Sequence, residues 1–363
     1  MTTPRRTLGA ALIDWPAWER NLHGLRGGHW TRIGNRNDRL RYGPGGRGVA
    51  CEGRWTSRLH GSEVFPSLGR RLMERAVGEW PPAFSSRPQA GTGDGDPEVS
   101  FVIGHRGLDR LPLLAKVLES VAAQEDTTLE CVVVEQSEAP EIDGRIPGWA
   151  RHLHTPVSRG TPYSRAWAFN VGARAARGRL LVFHDNDMIV PRRYAAELLA
   201  RRAEGYEVIN LKRFVFYLDE RATADGLAGG PPRRPPQRVI QNLEGGGSLA
   251  LDRDAFFALG GFDEAFVGWG GEDNEFWERA QVRAAWPWGY LPILHLHHRE
   301  QPGKGHRRRR TASLLDERSA IPPEVRVAEL TGRCFGRVEG PDPPFSAATA
   351  PAGGEEGEDG RAG

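Results

Sequence analysis

Two acidic residues, separated by one residue, follow a short apolar run near the middle of the chain. The run 180–184 reads as a buried strand, and Asp185-Asn186-Asp187-Met188 comes directly after it. Carboxylates crowded at the end of a strand repel one another unless a cation lies beside them, and their hard oxygens suit Mg²⁺ or Mn²⁺. The pattern therefore indicates a divalent metal that can bridge to a diphosphate, although Asp and Asn also form ordinary strand-ending turns.

A glycine-rich loop around Trp269 precedes two further acidic residues. Its glycines would destabilise a helix, so the loop is expected to end where Glu272 and Asp273 begin the predicted helix 272–280. The helix dipole favours carboxylates in a first turn and keeps them ionised. An ionised carboxylate beside an aromatic ring is what a general base for a sugar hydroxyl requires. The alternative role for both acids is that of helix caps.

Three histidines leave the predicted strand 290–294. The alternation of side chains along a strand places His295 and His297 on one face, and His298 on the other face or in the exit loop. One of these histidines, the two aspartates and phosphate oxygens would complete an octahedral metal site. The alternative for any one of the three is a buried, hydrogen-bonded histidine.

The elements that must position these groups alternate between strand and helix from residue 99 onward. Strands are predicted at 100–104, 130–134, 152–154 and 179–184, and helices at 109–123, 163–176 and 191–203. Such alternation with short links predicts an α/β fold with a mostly parallel, Rossmann-like sheet and helices on both faces. Ligands of such sheets lie outside the carboxyl ends of the strands, which here follow Ile103, Val134 and Phe183.

The composition of the chain excludes several classes of protein. Of its 363 residues 39% are hydrophobic, which allows a sizeable core, and 49 basic against 47 acidic residues argue against a general polyanion-binding protein. Three widely separated cysteines exclude a disulfide framework or a cysteine-based zinc finger. No apolar run is long enough to span a bilayer and the start is too short for a signal peptide, so a cytoplasmic protein is expected.

Four regions are predicted along the chain. Residues 1–81 form an N-terminal extension whose tryptophans favour folding, and it is either an acceptor-binding addition or a layer packed on the back of the sheet. Residues 82–98 have the composition of a linker, 99–335 form the α/β domain, and 336–363 form a disordered tail.

A run of basic residues lies at 306–310. It is interpreted as a solvated surface, and the alternative is a grip on a diphosphate, an anionic acceptor or a membrane surface, so that peripheral membrane contact stays open. Nucleic acid is not an expected partner, because no basic motif interleaved with aromatic residues accompanies the run.

Four stretches resemble, in the same order, the motifs of one enzyme family. The run 262–277 resembles the Gly-Trp-Gly-Gly-Glu-Asp segment of inverting galactosyltransferase-like and chondroitin-polymerase-like enzymes. Residues 163–172 resemble their aromatic-Asn-Arg-Ala…Asn-Val-Gly helix, 185–187 fall at their Asp-x-Asp, and 298–304 resemble their His-Gln-Glu-Pro-Pro-Gly-Lys stretch. The resemblance covers residues 99–305 and implies a family 2-like glycosyltransferase of the GT-A fold.

This resemblance implies how a nucleotide-sugar donor, most simply a UDP-sugar, would be bound. The strand end 103–106 would line the nucleotide pocket, Glu135 would read uracil, and Arg165 would reach the diphosphate. The glycines before the predicted strand 248–251 would let the backbone approach the donor sugar. Nucleotide and donor binding are thus implied for Ile103, His105, Arg106, Glu135, Arg165, Asp185 and Gly246.

The resemblance also implies a metal site and an acceptor site. Asp187 and His298 would hold Mn²⁺ or Mg²⁺, with Asp185 on the ribose or on a metal-bound water. The acceptor, a sugar or another hydroxylated molecule, would stack on Trp269 and be oriented by Glu272.

Asp273 is the residue that the resemblance implies as the catalytic base. It would deprotonate the acceptor hydroxyl in a single displacement that inverts the sugar configuration. Three alternatives remain open: a retaining transferase, whose relatives usually carry Asn at this place, a catalytically inactive sugar-nucleotide binding module, and a nucleotidyltransferase.

Overall fold

The computed structural model describes residues 4–23, 29–52, 57–88, 96–229, 234–241, 244–268, 270–299 and 304–340, and for residues 4–6, 57 and 304–310 it describes the backbone alone. The strands are β1 Arg39–Tyr42, β2 Val49–Glu52, β3 Ser57–Arg58, β4 Val99–His105, β5 Leu129–Ser137, β6 Ala150–Pro156, β7 Leu180–His184, β8 Met188–Ile189, β9 Val208–Ile209, β10 Lys212–Tyr217, β11 Arg238–Gln241, β12 Ser248–Asp252, β13 Ala285–Trp286 and β14 Leu291–His295. The helices are α1 Pro4–Gly9, α2 Trp15–Leu22, α3 His60–Val64, α4 Pro66–Glu79, α5 Leu111–Ala122, α6 Arg165–Ala175, α7 Tyr194–Ala203, α8 Glu220–Leu227, α9 Arg253–Ala258, α10 Glu272–Ala280, α11 Lys304–Ser319 and α12 Pro323–Thr331. None of these described helices is long and apolar enough to cross a membrane.

The central sheet has the strand order β13-β9-β12-β7-β4-β5-β6. β4 is parallel to β5 and to β7, and β5 is parallel to β6, whereas β12 runs antiparallel to β7 and β9. Every residue of β4 is buried, because helices cover both faces of the sheet. α5 shares a hydrophobic cluster with Phe101 and Ile103, and α6 shares another with Val102. The predicted α/β fold with a mostly parallel sheet is confirmed.

The predicted strands of this sheet agree with the observed ones to within a few residues, but the helices α5, α6 and α7 begin two or three residues later than predicted. α6 begins at Arg165 because Ser164 caps it, its Oγ accepting a hydrogen bond from the backbone N–H of Trp167 at 3.3 Å. α7 begins at Tyr194 because Pro191 forms an isolated bridge with Pro82 of the preceding segment.

A second sheet, which the sequence did not predict, has the order β3-β11-β10-β14-β8. β10 pairs in parallel with β14 and antiparallel with β11. The last two strands of this sheet, β14 and β8, are antiparallel and place His295 opposite Met188. Because Met188 directly follows Asp187, this pairing brings His295 to the acidic strand end.

The N-terminal extension packs into the same core as the domain. Trp30 is fully buried, and its ring centroid lies 6.0 Å from that of Phe214 in β10. The residue before Phe214, Arg213, is also buried and donates hydrogen bonds to the carbonyl oxygens of Thr31, at 2.6 Å, and Ile33. β3 adds an edge strand to the second sheet by pairing with β11. A layer packed on the domain is one of the two arrangements that the sequence left open.

Helix α10 is held from behind by a buried ion-pair network. Arg279 donates to Glu275, one turn earlier on the same helix, at 2.9 Å, and Arg326 of α12 donates to the same carboxylate at 3.1 Å. All three side chains are buried. Buried charges are tolerated only when they are paired and hydrogen-bonded, so this network fixes the position of the helix whose first turn carries Glu272 and Asp273.

The predicted linker and tail are described only in part. Residues 89–95 of the linker and 341–363 of the tail lie outside the described residues. At the start of the predicted tail, the N–H of Gly336 donates to Glu264 at 2.8 Å, and the carbonyl of Arg337 accepts a hydrogen bond from the Trp167 indole at 2.7 Å. Contacts with the domain therefore continue at least as far as Arg337.

Replacing Trp30 by alanine tests whether the extension folds as part of the domain. Removing a fully buried indole costs about 3–5 kcal/mol of unfolding free energy. We expect a correspondingly lower midpoint of urea unfolding, followed by far-UV circular dichroism as a single transition. Leu12→Ala is the control, since Leu12 is exposed and its truncation should shift the midpoint little. An unchanged main transition in Trp30→Ala would show instead that the extension is a separate unit.

Candidate active site

Three segments meet at the carboxyl edge of β7. They are the acidic strand end 185–187, the histidines that follow β14, and the loop 245–247 before β12, here called the glycine loop. The backbone carbonyl of Asp187 accepts a hydrogen bond from the N–H of Leu296, just after β14, at 2.8 Å. The N–H of Asp185 donates to the carbonyl of Gly247, just before β12, also at 2.8 Å. Ligands of such sheets bind at this edge. The acidic strand end, the histidines and the glycine loop therefore lie where the sequence places the site.

The carboxylate of Asp187 is buried between two imidazoles and a guanidinium. Nε2 of His298 lies 3.3 Å from its Oδ2, and Nε2 of His295 lies 3.7 Å from its Oδ1. Arg110 donates from Nη1 to Oδ2 at 2.9 Å, and its Nη2 lies 2.9 Å from Nδ1 of His298. The Oδ1 atom has no hydrogen-bond partner in the described part of the chain. The structure thus joins Asp187 with His298 and adds His295 and Arg110.

The charges around Asp187 keep it ionised. Burial raises the pKa of a carboxyl group, but His295, His298 and Arg110 outweigh burial here and hold the pKa of Asp187 well below its ordinary value. Burial lowers the pKa of His295 to about 4, so its imidazole is neutral at pH 7. An ionised carboxylate and a neutral imidazole are the protonation states that metal ligands need.

Asp187, His295 and His298 have donor chemistry that fits a divalent cation. One ligand atom from each side chain can be chosen so that the three atoms lie within 4.8 Å of one another. Buried polar atoms rarely lack a partner, so the unpartnered Oδ1 of Asp187 favours a ligand at this place. His297, the third histidine of the predicted group, is not part of this set; its backbone N–H donates to Thr223.

Arg165 links the acidic strand end to helix α10. Its Nε donates to Oδ1 of Asp185 at 2.7 Å, and its Nη1 donates to Oε1 of Glu272 at 3.4 Å. Burial lowers the pKa of a guanidinium, but the two carboxylates outweigh it and raise the pKa of Arg165 above its ordinary value. Asp185 is therefore paired with Arg165, and it does not belong to the set of three donors around Asp187.

The two acids that begin α10 differ in exposure. Glu272 is buried, and burial together with the neighbouring Asp273 raises its pKa to about 7. Asp273 is only half-buried, and its Oδ1 accepts a hydrogen bond from the N–H of Asn274 at 2.9 Å. The first turn thus presents one accessible carboxylate and one enclosed carboxyl group that is partly protonated at neutral pH. Trp269, predicted to stack on the acceptor, lies outside the described residues.

The predicted nucleotide-binding residues at the end of β4 lie at the same edge. The side chain of Ile103 is buried in the core. His105 is buried beside Asn186, with its Nδ1 3.0 Å from the amide nitrogen, and burial lowers its pKa to about 4. Arg106 donates to the carbonyls of Gln136, at 2.8 Å, and Thr161, at 2.6 Å. These residues shape the edge, and Arg106 ties the ends of β4 and β5 to the loop before α6.

Glu135 and Gly246 are placed on either side of this edge. Glu135 is fully buried: its Oε1 accepts hydrogen bonds from Ser137 at 2.9 Å and from the N–H of Glu141 at 2.8 Å, and its Oε2 lies 2.8 Å from His152. Both oxygens have partners within the chain, so reading uracil would require these bonds to be exchanged. Gly246 accepts a hydrogen bond from the N–H of Ser248 at 2.9 Å, in the loop that contacts Asp185.

Three polar residues near the site were not selected from the sequence: Arg110, Lys212 and Glu244. Lys212 is buried, its ammonium donating to the carbonyls of Glu244, at 3.0 Å, and Ser248, and burial lowers its pKa to about 7. Burial raises the pKa of Glu244 to about 7. A signal existed for Lys212, because it is one of three lysines in an arginine-rich chain. Nothing in the sequence distinguishes Arg110 or Glu244 from the many other charged residues of the chain, so neither could be selected as a site residue.

Two protein-family models match consecutive parts of the chain. The model of glycosyl transferase family 2 matches residues 108–256, and the model of the N-terminal domain of galactosyltransferase matches residues 239–284. The first range includes the acidic strand end, Arg165 and the glycine loop, and the second includes that loop and Asp273. Both matches therefore include part of the site, whereas His295 and His298 lie outside them.

Two curated relatives match part of the chain. Beta-1,4-galactosyltransferase 5 of Danio rerio is 28% identical over 152 residues, covering 38% of this chain and 33% of the relative. The protein of the same name from Sus scrofa is 29% identical over 124 residues, covering 33% of this chain and 26% of the relative. This chain thus spans a third or less of the length of these relatives.

Among solved structures, a mannosyltransferase from Pyrobaculum calidifontis in complex with GDP-Man and Mn²⁺ is similar at 16% identity and a TM-score of 0.42, over 73% of this chain and 76% of that chain. The family models and the curated relatives agree on one class of enzyme: a glycosyltransferase. Within that class the longer of the two matches is to family 2, as the sequence predicted.

The raised pKa of Glu272 predicts a pH-dependent effect of Glu272→Gln on stability. A carboxyl group whose pKa is higher in the folded state binds more protons there, so the wild type loses stability as pH rises from about 4.5 to about 7. Glutamine does not ionise, so the Glu272→Gln variant does not lose stability in this way as the pH rises. We therefore expect Glu272→Gln to gain about 2–3 kcal/mol relative to the wild type between pH 4.5 and pH 8, measured as the difference in unfolding free energy in urea.

A matched control for this measurement is Glu220→Gln, since Glu220 is exposed at the start of α8. Its difference from the wild type should not change with pH. If the Glu272→Gln difference is equally flat, Glu272 is not the enclosed, partly protonated group described above.

Proposed function

We propose that the protein is a metal-dependent, inverting glycosyltransferase that moves a sugar from a UDP-sugar to a hydroxyl group of an acceptor, with Asp273 as the base. The observation that carries the proposal is the bridge made by Arg165. This one cation joins Asp185 of the acidic strand end to Glu272 in the first turn of α10, so the metal-binding edge and the proposed base belong to one site.

The metal is proposed to bind Asp187, His295 and His298. The low pKa of Asp187, its unpartnered Oδ1 and the neutral imidazole of His295 support this ligand set. Mn²⁺ is favoured over Mg²⁺, because Mg²⁺ prefers oxygen ligands and two of the three donors are nitrogens. When bound, such a metal supplies Lewis-acid stabilisation of the negative charge on a departing diphosphate.

Asp273 is proposed as the base because it is the accessible member of the acidic pair. Its carboxylate accepts the proton of the acceptor hydroxyl as that oxygen forms a bond to the anomeric carbon. The bond from this carbon to the diphosphate breaks, and its electron pair leaves with the nucleoside diphosphate. A single displacement inverts the configuration at the anomeric carbon. Glu272, held under Arg165, is proposed to orient the acceptor hydroxyl.

The proposed donor remains a UDP-sugar. Because the curated relatives are galactosyltransferases by name, galactose is the first sugar to test, beside N-acetylhexosamines and glucuronate. The retaining alternative is disfavoured by the acid at position 273, and the inactive binding module by the presence of Asp187, His298 and Asp273 together. Hydrolysis of a panel of UDP-sugars in Mn²⁺ identifies the donor.

Asp273→Asn is the sharpest test of the base. The substitution keeps the shape of the side chain but removes the proton acceptor, so we expect transfer to fall about 10²–10⁴-fold while UDP affinity is retained. The measurement is the transfer rate with the donor found in the panel, beside calorimetry of UDP binding. Near wild-type transfer would leave Asp273 as a helix cap and would refute the inverting mechanism.

Asp187→Ala tests the metal site by binding rather than by activity. Because the carboxylate provides one of the proposed ligands, we expect UDP affinity to depend on Mn²⁺ in the wild type and to become both weaker and independent of Mn²⁺ in the variant. Calorimetry of UDP in Mn²⁺ and in EDTA measures both effects. Equal UDP affinity of the wild type in the two buffers would contradict the metal assignment.

A further inference from the structure

A cavity of about 500 Å³ opens beside the second half of α10, on the side of the N-terminal extension. Its walls come from the hairpin β1–β2, from β10, from α10 and from the start of α12. The side chains that matter for its chemistry are Arg41, Lys212, Glu244, Trp277 and Gln281. This volume is within the range of small-molecule binding sites, which is about 300–1,000 Å³.

Two residues that line the cavity, Trp277 and Gln281, lie on the helix face that also carries the proposed base. Asp273, Trp277 and Gln281 are spaced by four residues and so share that face. With a rise of 1.5 Å per residue, Trp277 lies about 6 Å and Gln281 about 12 Å from Asp273 along the axis. The backbone of Gly245 packs against the carbonyl oxygen of Asp273, where a Cβ would lie only 2.4 Å from it. The cavity thus begins about one helical turn from Asp273 on the same face, within reach of the second sugar of a molecule that reacts there.

The cavity lies away from the proposed donor site. None of the residues assigned to the nucleotide or to the metal lines it. Those residues gather at the carboxyl ends of β4, β5 and β7 and after β14, whereas the cavity faces the hairpin β1–β2. Its location beside the base and apart from the nucleotide favours an acceptor over a donor.

The polar side chains of the cavity wall can both accept and donate hydrogen bonds to a ligand. The carboxylate of Glu244 has no hydrogen-bond partner within the described ranges of the chain. The ammonium of Lys212 donates to two carbonyls, which leaves one of its three protons. Gln281 donates from its amide to the carbonyl of Trp277 at 3.1 Å and so keeps its side-chain oxygen for a ligand. Trp277 adds an aromatic surface between these groups.

The other charged groups of the wall are already paired. Arg213 donates to backbone carbonyls of the extension, and Arg326 donates to Glu275 and Glu278. Arg41 lies 4.0 Å from Glu52 of β2, which leaves Lys212 and Glu244, one charge of each sign. Mixed donors and acceptors beside an aromatic ring, with these two charges opposed, suit a neutral polyhydroxylated ligand better than an anionic one.

We propose that this cavity binds the second sugar of a neutral oligosaccharide acceptor, whose terminal sugar reacts at Asp273. The proposal rests on the proposed function and adds the substrate class: an acceptor of at least two sugars. Glu244 and Lys212 bind its hydroxyls, and the hairpin β1–β2 forms the outer wall. The hairpin lies outside both matched family models, which begin at residues 108 and 239, so this wall of the cavity is not part of the matched region.

Binding to a glycan array tests the proposal with the full chain in UDP and Mn²⁺. The array carries neutral monosaccharides, neutral oligosaccharides, and anionic glycans. We expect the wild type to bind a set of neutral oligosaccharides at least tenfold more strongly than the corresponding monosaccharides. Equal binding to both, preference for anionic glycans, or binding to none would overturn the proposal.

Two variants locate this binding in the cavity. Ala50→Trp places a large ring into the space from the hairpin, and Glu244→Gln removes the unpartnered carboxylate. Each should weaken binding of the selected oligosaccharides at least tenfold. Val282→Trp adds the same ring outside the cavity, and Glu220→Gln makes the same exchange on α8; both should bind like the wild type. Retained binding in Ala50→Trp and Glu244→Gln overturns the proposal.

Calorimetry of UDP with Mn²⁺ separates this proposal from the proposed function and also reports folding. If the cavity variants keep wild-type UDP affinity and lose only the oligosaccharide, both proposals are supported. If the wild type binds UDP but the cavity variants bind glycans unchanged, the cavity assignment alone fails. If the wild type does not bind UDP, the proposed donor fails, and the acceptor proposal that rests on it fails as well.

Discussion

The guanidinium of Arg165 lies between two carboxylates that are far apart in the chain, Asp185 and Glu272, and the geometry of the site depends on this contact. Without a cation, the acidic strand end and the first turn of α10 would repel each other in a region with little water. With it, the strand end and the helix are held at one edge of the sheet. The buried Glu275–Arg279–Arg326 network holds the same helix from its other side, so α10 is fixed by ion pairs on two faces.

The sequence predicted what local patterns determine and missed what depends on distant strands. β4, β5 and β7 were predicted because their residues are apolar on both faces, and Asp187 because it directly follows such a strand. The second sheet was missed because β10 starts with Lys212 and Arg213 and pairs with β14, far along the chain. The spacing of residues along the chain could not show that His295 is a metal-ligand candidate beside His298. Only the pairing of β14 with β8, which are far apart in the sequence, places His295 beside Asp187.

The described residues divide into a part that the family models match and a part that they do not. The matched part, 108–284, holds the acidic strand end, Arg165 and the acidic pair of α10. The unmatched part supplies His295 and His298 from one side and Trp30 and the hairpin from the other. The two parts share one hydrophobic core, as the burial of Trp30 against Phe214 shows. The extension therefore contributes to the stability of the fold and to the wall of the cavity at once.

The contact of Gly245 with the carbonyl of Asp273 has a mechanical consequence. No side chain separates the backbone of the glycine loop from the backbone of α10, and a Cβ would not fit between them. The same loop holds the N–H of Asp185 through the carbonyl of Gly247. Because this contact is between backbones, the loop cannot move towards the helix that carries the acidic pair unless the helix moves as well. The backbone of this one loop therefore touches both the strand end that carries Asp185 and the helix that carries the acidic pair.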